Sequence, residues 1–266
     1  NLTGSDVNTI HANDFKFYEE LNDVIQREPS EVFSPELLGM ASAIGIQKGK
    51  PFKPSKEQKA LLTEAVAIGN ATARSILFAP QDPKAYIYPG KAGYWQTGFP
   101  GGNHDYVVNG GKGGRDMDGR TLFFYLATVN TPAMVLELPG VGSQYAFSSR
   151  DSSGAYLDGS KTYKLNIPAN PPAKRFWSFV VYDPQTRSML QSKEMPYPSK
   201  NNKRNPEMAK NADGSIDLYF GPEAPAGKEA NWVKTVPGKG WFGIFRLYGP
   251  GQEWFDRSWK LGAIEK

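Results

Sequence analysis

The apolar positions of this chain follow two different rhythms. Between 13 and 79 they recur at helical spacing. Phe17, Tyr18, Leu21, Val24 and Ile25 make one stripe, and Leu37, Leu38, Ala41 and Ile44 make a second. Asn13 is the expected N-cap of the first helix, and Pro29 ends it. Ser34 before Pro35 opens the next helix: a hydroxyl takes an orphan N–H, and a proline sits where no N–H is needed. Gly45 suits the left-handed cap at its end. A third, longer helix is predicted from Ser55, with Gln58 closing a capping box. Its stripe is Leu61, Leu62, Ala65, Val66, Ile68, Ala73, Ile76 and Leu77, and it stops before Pro80. Residues 13–79 therefore read as a small three-helix subdomain. The polar stretch 1–12 reads as a linker or the remnant of an upstream β domain.

From Gln144 onward the period becomes two. Tyr145 and Phe147 alternate, as do Tyr163, Leu165 and Ile167, and later Ile216, Leu218 and Phe220. Phe176 to Tyr182 is more uniformly apolar, which fits a strand covered on both faces. Asp158-Gly159-Ser160, Asn170-Pro171-Pro172, Asp183-Pro184 and Asn211-Ala212-Asp213-Gly214 punctuate these runs as turns. Trp241 to Tyr248 is a further strand, and Trp254 to Trp259 packs the tail. Polar 196–210 and Gly/Pro-rich 221–239 read as loops. Many short strands at turn-spaced intervals predict an antiparallel β-sandwich, jelly-roll-like, over 120–266. The fold class is thus α+β. Between the two regimes lies 80–119, an irregular connection dense in Gly and Pro, of a length that often carries function. Thr121 to Val129 is ambiguous by periodicity, and its flanking residues favour a helix.

Composition narrows the function classes. The formal charge of +4 is spread over 266 residues, which leaves no nucleic-acid footprint. With no cysteine, thiol catalysis, disulfides and cysteine-ligated zinc are excluded. No apolar run approaches the ~20 residues of a membrane span. The chain starts at Asn1 without a methionine or signal-peptide pattern, consistent with a mature, trimmed or cleaved product of something longer. Oligomeric state is left open.

Candidate chemistry is sparse. His104, one of two histidines, lies beside Asp105 in a glycine-rich loop, where it would serve as general base or metal ligand; a solvated loop histidine is the more ordinary role. His11 is too distant to complete a metal motif, and no metal or cofactor is expected. Gly110-Gly111-Lys112-Gly113-Gly114-Arg115 lacks the Ser or Thr of a phosphate loop. Asp116-Met117-Asp118-Gly119 lacks the later ligands of a calcium loop. Acids at strand ends, Asp151 and Asp183 among them, are candidate glycosidase carboxylates, although aspartates in turns usually hold the turn. Arg175, Arg187 and Arg246 adjoin apolar strands and are expected to pair with those acids. Tyr86, Tyr88, Tyr94, Trp95 and Phe99 sit in the irregular connection, where aromatics can stack on a sugar face. Tyr94, Trp95, Arg150 and Arg187 are the ligand-binding candidates; Trp177 and Trp241 read as core.

The strings Asp158-Gly159-Ser160-Lys161-Thr162-Tyr163, Phe176-Trp177-Ser178, Tyr182-Asp183 and Thr186-Arg187-Ser188-Met189-Leu190 carry a resemblance, continued by Tyr219-Phe220-Gly221-Pro222 and Pro237-Gly238-Lys239-Gly240-Trp241. Over roughly 140–266 the chain resembles the bacterial family numbered 1214 in the domain-of-unknown-function series. The N-terminal part resembles the end of its partner domain, numbered 1254. The resemblance implies a jelly-roll-like C-terminal domain, an upstream domain of the same precursor and an exported, periplasmic or secreted, protein. It supplies no reaction and no catalytic residues. The leading expectation is therefore a carbohydrate or similar polar ligand, bound or processed in a cleft between the sandwich rim and 80–119. A non-catalytic protein-interaction module is the second, and a metal-dependent hydrolase built on His104 and Asp105 the third.

Overall fold

The computed structural model describes residues 10–127 and 129–266, so most of the 1–12 stretch lies outside the described residues. The chain divides into two compact units, Asn1–Ser75 and Ile76–Lys266.

The first unit is helical, with α1 Lys16–Arg27, α2 Pro35–Ala43 and the start of α3 Lys56–Phe78. Tyr18, Ile25, Ala41, Ile46 and Leu62 form its core. Asn13 does not cap α1. The carboxylate of Asp14 accepts from the Lys16 N–H at 2.9 Å instead, because Asn13 lies a residue too far from the first free amides. Ser34 caps α2 as expected, accepting from Leu37. Gly45, at φ +89°, ends it: Gly45 N–H bonds the Ser42 carbonyl and Ile46 N–H bonds Ala41. That pair of bonds is the Schellman arrangement, with Ile46 buried behind it. Ser55 accepts from the Gln58 N–H at 3.1 Å, but the box does not close. The Gln58 amide reaches the last-turn carbonyl of Ile44 at 2.8 Å and ties α3 to α2. Leu62 and Val66 face the core, while Leu61 and Ile68 are exposed, so the buried stripe of α3 is narrower than its apolar positions suggest.

The second unit holds two four-stranded sheets. Its strands are β1 Ser143–Ser148, β2 Tyr163–Ile167, β3 Ala173–Tyr182, β4 Ser199–Asn201, β5 Ile216–Gly221, β6 Trp232–Lys234, β7 Phe242–Pro250 and β8 Ile264–Glu265. The orders are β1-β7-β3-β4 and β6-β5-β2-β8, antiparallel except for the parallel pair β5 and β6. Alternation sends Trp177, Phe179 and Val181 of β3 and Phe245 and Leu247 of β7 to one side, where they meet Leu165, Ile167, Leu218 and Phe220 of the other sheet in a shared core. Trp177 and Trp241 are core, as their flanks imply, and Trp254 and Trp259 join them from α5 Gln252–Phe255 and the tail.

The connection 80–119 is a chain of short 3-10 turns at Pro83–Ala85, Pro89–Tyr94, Pro100–Gly102 and Asn109–Gly111. It leads into α4 Met117–Leu126, capped by Asp116, whose side chain accepts from Gly119 at 2.8 Å. The ambiguous apolar run is thus helical from Thr121 to Leu126, and the helix ends before Ala127. Two loops of the sequence reading contain strands: β4 within 196–210 and β6 within 221–239. Each is a three-residue edge strand, too short for alternation to register.

Candidate functional site

In the first sheet most of the side chains that point away from the shared core are also apolar or aromatic, with Arg246 and Ser178 among them. Register sets Tyr145 and Ser178 on either side of Arg246, Phe147 and Val180 on either side of Ile244, and Tyr182 opposite Phe242. A sheet face of this kind must be covered. Here α4 and the 97–102 segment cover it incompletely. A cavity of about 250 Å³ remains, floored by Tyr145, Phe147, Tyr182, Phe242, Ile244 and Arg246. Its roof comes from Phe99, Phe123 and Leu126, with Met134 and Val135 at one side.

The roof is held by stacked rings and one buried hydroxyl. Phe99 stacks on Phe123 with ring centroids 4.6 Å apart and on Tyr106 at 6.1 Å. The Tyr106 hydroxyl donates to the Gly98 carbonyl at 3.2 Å, which anchors the bend at Gly98 and Phe99. Burial, with Asp116 adding to it, holds that hydroxyl protonated well above the ordinary tyrosine range.

One pole of the cavity is polar. The Arg246 guanidinium donates through Nη2 to the Tyr182 hydroxyl and lies 5.6 Å from the centroid of the Tyr145 ring. Its Nε is buried without a hydrogen-bond partner, and no carboxylate lies within 4.0 Å of it among the described residues. The expected ion pair with a strand-end acid is therefore absent there, because Tyr182 has taken that place. Burial pushes the Tyr182 hydroxyl up from its ordinary value, with Arg246 pulling it part of the way back. The Tyr145 hydroxyl sits 2.7 Å from Ser143 Oγ. Arg187 reaches the wall from the turn after β3. It donates to the Tyr125 carbonyl at 3.1 Å, to the Tyr125 hydroxyl at 3.2 Å and to the Gln185 carbonyl at 2.7 Å. The lining carboxylate is Glu137, which is exposed.

The expected site residues distribute as follows. Arg187 lines the cavity. Trp95 does not bind at a surface: it is 0% exposed, its Nε1 donates to Gly262 at 2.8 Å, and its ring meets Phe179 edge-on. Tyr88 is likewise buried. Tyr94 and Arg150 do come together, with the guanidinium 6.0 Å from the Tyr94 ring and 4.0 Å from that of exposed Tyr156, but neither lines the cavity. Asp151 is buried and its Oδ1 accepts from Ser153 N, Ser153 Oγ and Ala155 N, holding its own turn. Buried Asp183 accepts from Gln185 N at 2.7 Å and pairs with Lys239 at 2.7 Å. His104 Nε2 lies 3.2 Å from Asp105 Oδ2, but both side chains are open to solvent, 40% and 62% exposed. Among the described residues no three His, Asp or Glu side chains converge as a metal site. Arg246, Tyr182 and Phe123 were not singled out as site residues. The available signal was the more uniformly apolar run of β3, which says that its second face needs a cover.

Fold and cavity define a class: an α+β chain whose sheet-bearing unit roofs over an apolar cavity with a cationic pole. Residues 142–252 match the family described as "Protein of unknown function (DUF1214)", so a domain of unknown function occupies much of the C-terminal half. Among solved structures, the VPA0106 protein of Vibrio parahaemolyticus is similar over 99% of this chain and 60% of its own, at 20% identity and a TM-score of 0.44. An uncharacterised protein of Burkholderia cenocepacia is similar over 48% of this chain and 30% of its own, at 17% identity and a TM-score of 0.27. The chain therefore spans about 60% of the length of the first of these. No curated protein matches.

Proposed function

We propose that the sheet-bearing unit is a binding module for a small ligand with a largely apolar body, held in the cavity over the outer face of β1, β7 and β3. The observation that carries this is the cavity of about 250 Å³ in an otherwise packed layer, walled by Phe99, Phe123, Phe147, Leu126 and Ile244. An apolar void of ~150 Å³ already admits benzene, whereas drug-sized pockets begin near ~300 Å³. The ligand is accordingly small, or one end of something longer. Met134 and Val135 continue into the exposed apolar residues Leu136, Leu138 and Val141, which give such a ligand an apolar edge to leave along.

Filling the cavity tests the reading. Leu126→Trp should leave the melting temperature unchanged or raised and weaken saturable binding of a neutral, environment-sensitive dye by tenfold or more. Equal binding by both proteins would overturn it.

A carbohydrate ligand, bound or processed, is the second reading. It is favoured by exposed Tyr156 and half-buried Tyr94 around Arg150, outside the cavity. Hydrolysis has less support than binding, because Asp151 and Asp183 hold turns. Loss of glycan-array signals in Tyr156→Ala would support that surface. Kinship of the N-terminal part to the family numbered 1254, an upstream domain of the same precursor and a periplasmic or secreted location are proposals that rest on sequence resemblance.

A further inference from the structure

We infer that the ligand of this cavity is an amphipathic carboxylate, its head group held by Arg246 and Tyr182 and its apolar body under Phe123. The inference rests on the apolar-cavity reading above and adds the chemistry of the polar end. A guanidinium lining an apolar enclosure needs a counter-charge or a full set of acceptors. Arg246 has neither: its one hydrogen-bonded partner is the neutral Tyr182 hydroxyl, its Nε is buried and unpaired, and no carboxylate stands within 4.0 Å among the described residues. Tyr182 accepts from Arg246, so its own O–H proton remains to be donated, and its raised pKa keeps that proton in place at neutral pH.

The pole is thus donor-rich. Arginine offers N–H groups in a planar fork with no acceptor, and a phenol adds one O–H. An acceptor-only, planar monoanion matches both charge and geometry, and a carboxylate is that group. Arg187 adds a second positive charge to the wall, already held by Tyr125 and Gln185, and exposed Glu137 lies among the lining residues without forming an ion pair with Arg246 among the described residues. The remaining walls are aromatic and aliphatic, which leaves one polar end and one apolar body. At ~30 Å³ per water-sized group, about 250 Å³ holds roughly eight such groups, the size of a medium-chain or single-ring acid.

The test compares octanoate with octanol, which share a chain and differ in the head group, by calorimetric titration of the full chain. Octanoate should bind at least tenfold tighter. In Arg246→Met that preference should vanish through loss of octanoate affinity, with octanol unchanged. Tyr182→Phe, which removes only a hydroxyl, should weaken octanoate severalfold and spare octanol, so the inference stays testable if Arg246→Met does not fold. Equal binding of the two probes to the native chain would overturn the head-group assignment and leave the apolar-cavity reading standing. Tighter binding of octylphosphonate than octanoate, or a preference for octanoate that survives in Arg246→Met, would also overturn the assignment. Binding of neither probe, together with no dye binding, would overturn both readings.

Discussion

Gly243 lies in β7 opposite Val181 of β3 and Ser148 of β1, and the Phe179 ring crosses the bare backbone at that point. A Cβ there would overlap the ring, which is itself locked between Trp95 and Phe220. Gly243→Ala should therefore destabilise the fold by ~1–3 kcal/mol, the usual range for overpacking, as read from urea denaturation. An unchanged midpoint would mean that the ring is not seated there. The neighbours of Gly243, Phe242 and Ile244, line the cavity, so this glycine sits within the strand that floors it. Nothing in the local sequence marks it, because Phe179 belongs to a distant strand. Trp95 was hidden for a similar reason: it sits among glycines without periodicity, and its partners are Gly262 and Phe179. Asp151 and Asp183 were more legible, since the turn-holding role follows from their local neighbours alone.

At the scale of the element, the turn before β2 is the clearest case of local chemistry deciding structure. Asp158 accepts from the Ser160 N–H at 2.9 Å and the Ser160 hydroxyl at 2.7 Å, and its other oxygen lies 3.2 Å from Lys161. The Ser160 amide, then its hydroxyl, then Lys161 pull the carboxyl down to about 2. A free aspartate titrates near ~3.9, so the folded state holds the proton more weakly. The stabilisation is present above that value and is lost as the pH falls from ~4 toward 2. Asp158→Asn keeps an acceptor for the turn and loses the charge. Its stability should fall less steeply than that of the native chain between pH 4 and 2, measured as urea midpoints at pH 7, 4 and 2; parallel curves would show that the charge contributes nothing. Alternation exposed β1, β2 and β5 in the sequence, and longer apolar runs exposed β3 and β7, because each spans five residues or more. It could not expose β4 and β6, which are edge strands defined by their partners. The helical stripes located the helices of the first unit but overstated what they bury. Leu61 and Ile68 are apolar and exposed, and sequence alone does not say how wide a stripe the neighbours cover.

At the scale of the whole molecule, the two-sheet architecture was readable and the cavity was not. The floor is assembled from β1, β3 and β7, and the roof from α4 and 97–102, so no single stretch carries its signature. The sequence placed a cleft at the strand-end rim, where turn acids gather. Part of that expectation holds, since 97–102 of the connection lines the cavity. The cavity itself lies not at the strand ends but over the outer face of the first sheet, where β3 and β7 present a mostly apolar and aromatic side. That position follows from packing: an apolar second face needs a roof, and a roof made of one short helix and a glycine-rich loop leaves a gap. The most direct measurement is a methyl-resolved NMR titration of the full chain with octanoate. The account expects saturable shifts at the Leu126, Met134, Val135 and Ile244 methyls, with Leu165 and Ile167 of the inter-sheet core unmoved. Shifts absent from the first group, or confined to the neighbourhood of Tyr156 and Arg150, would contradict it.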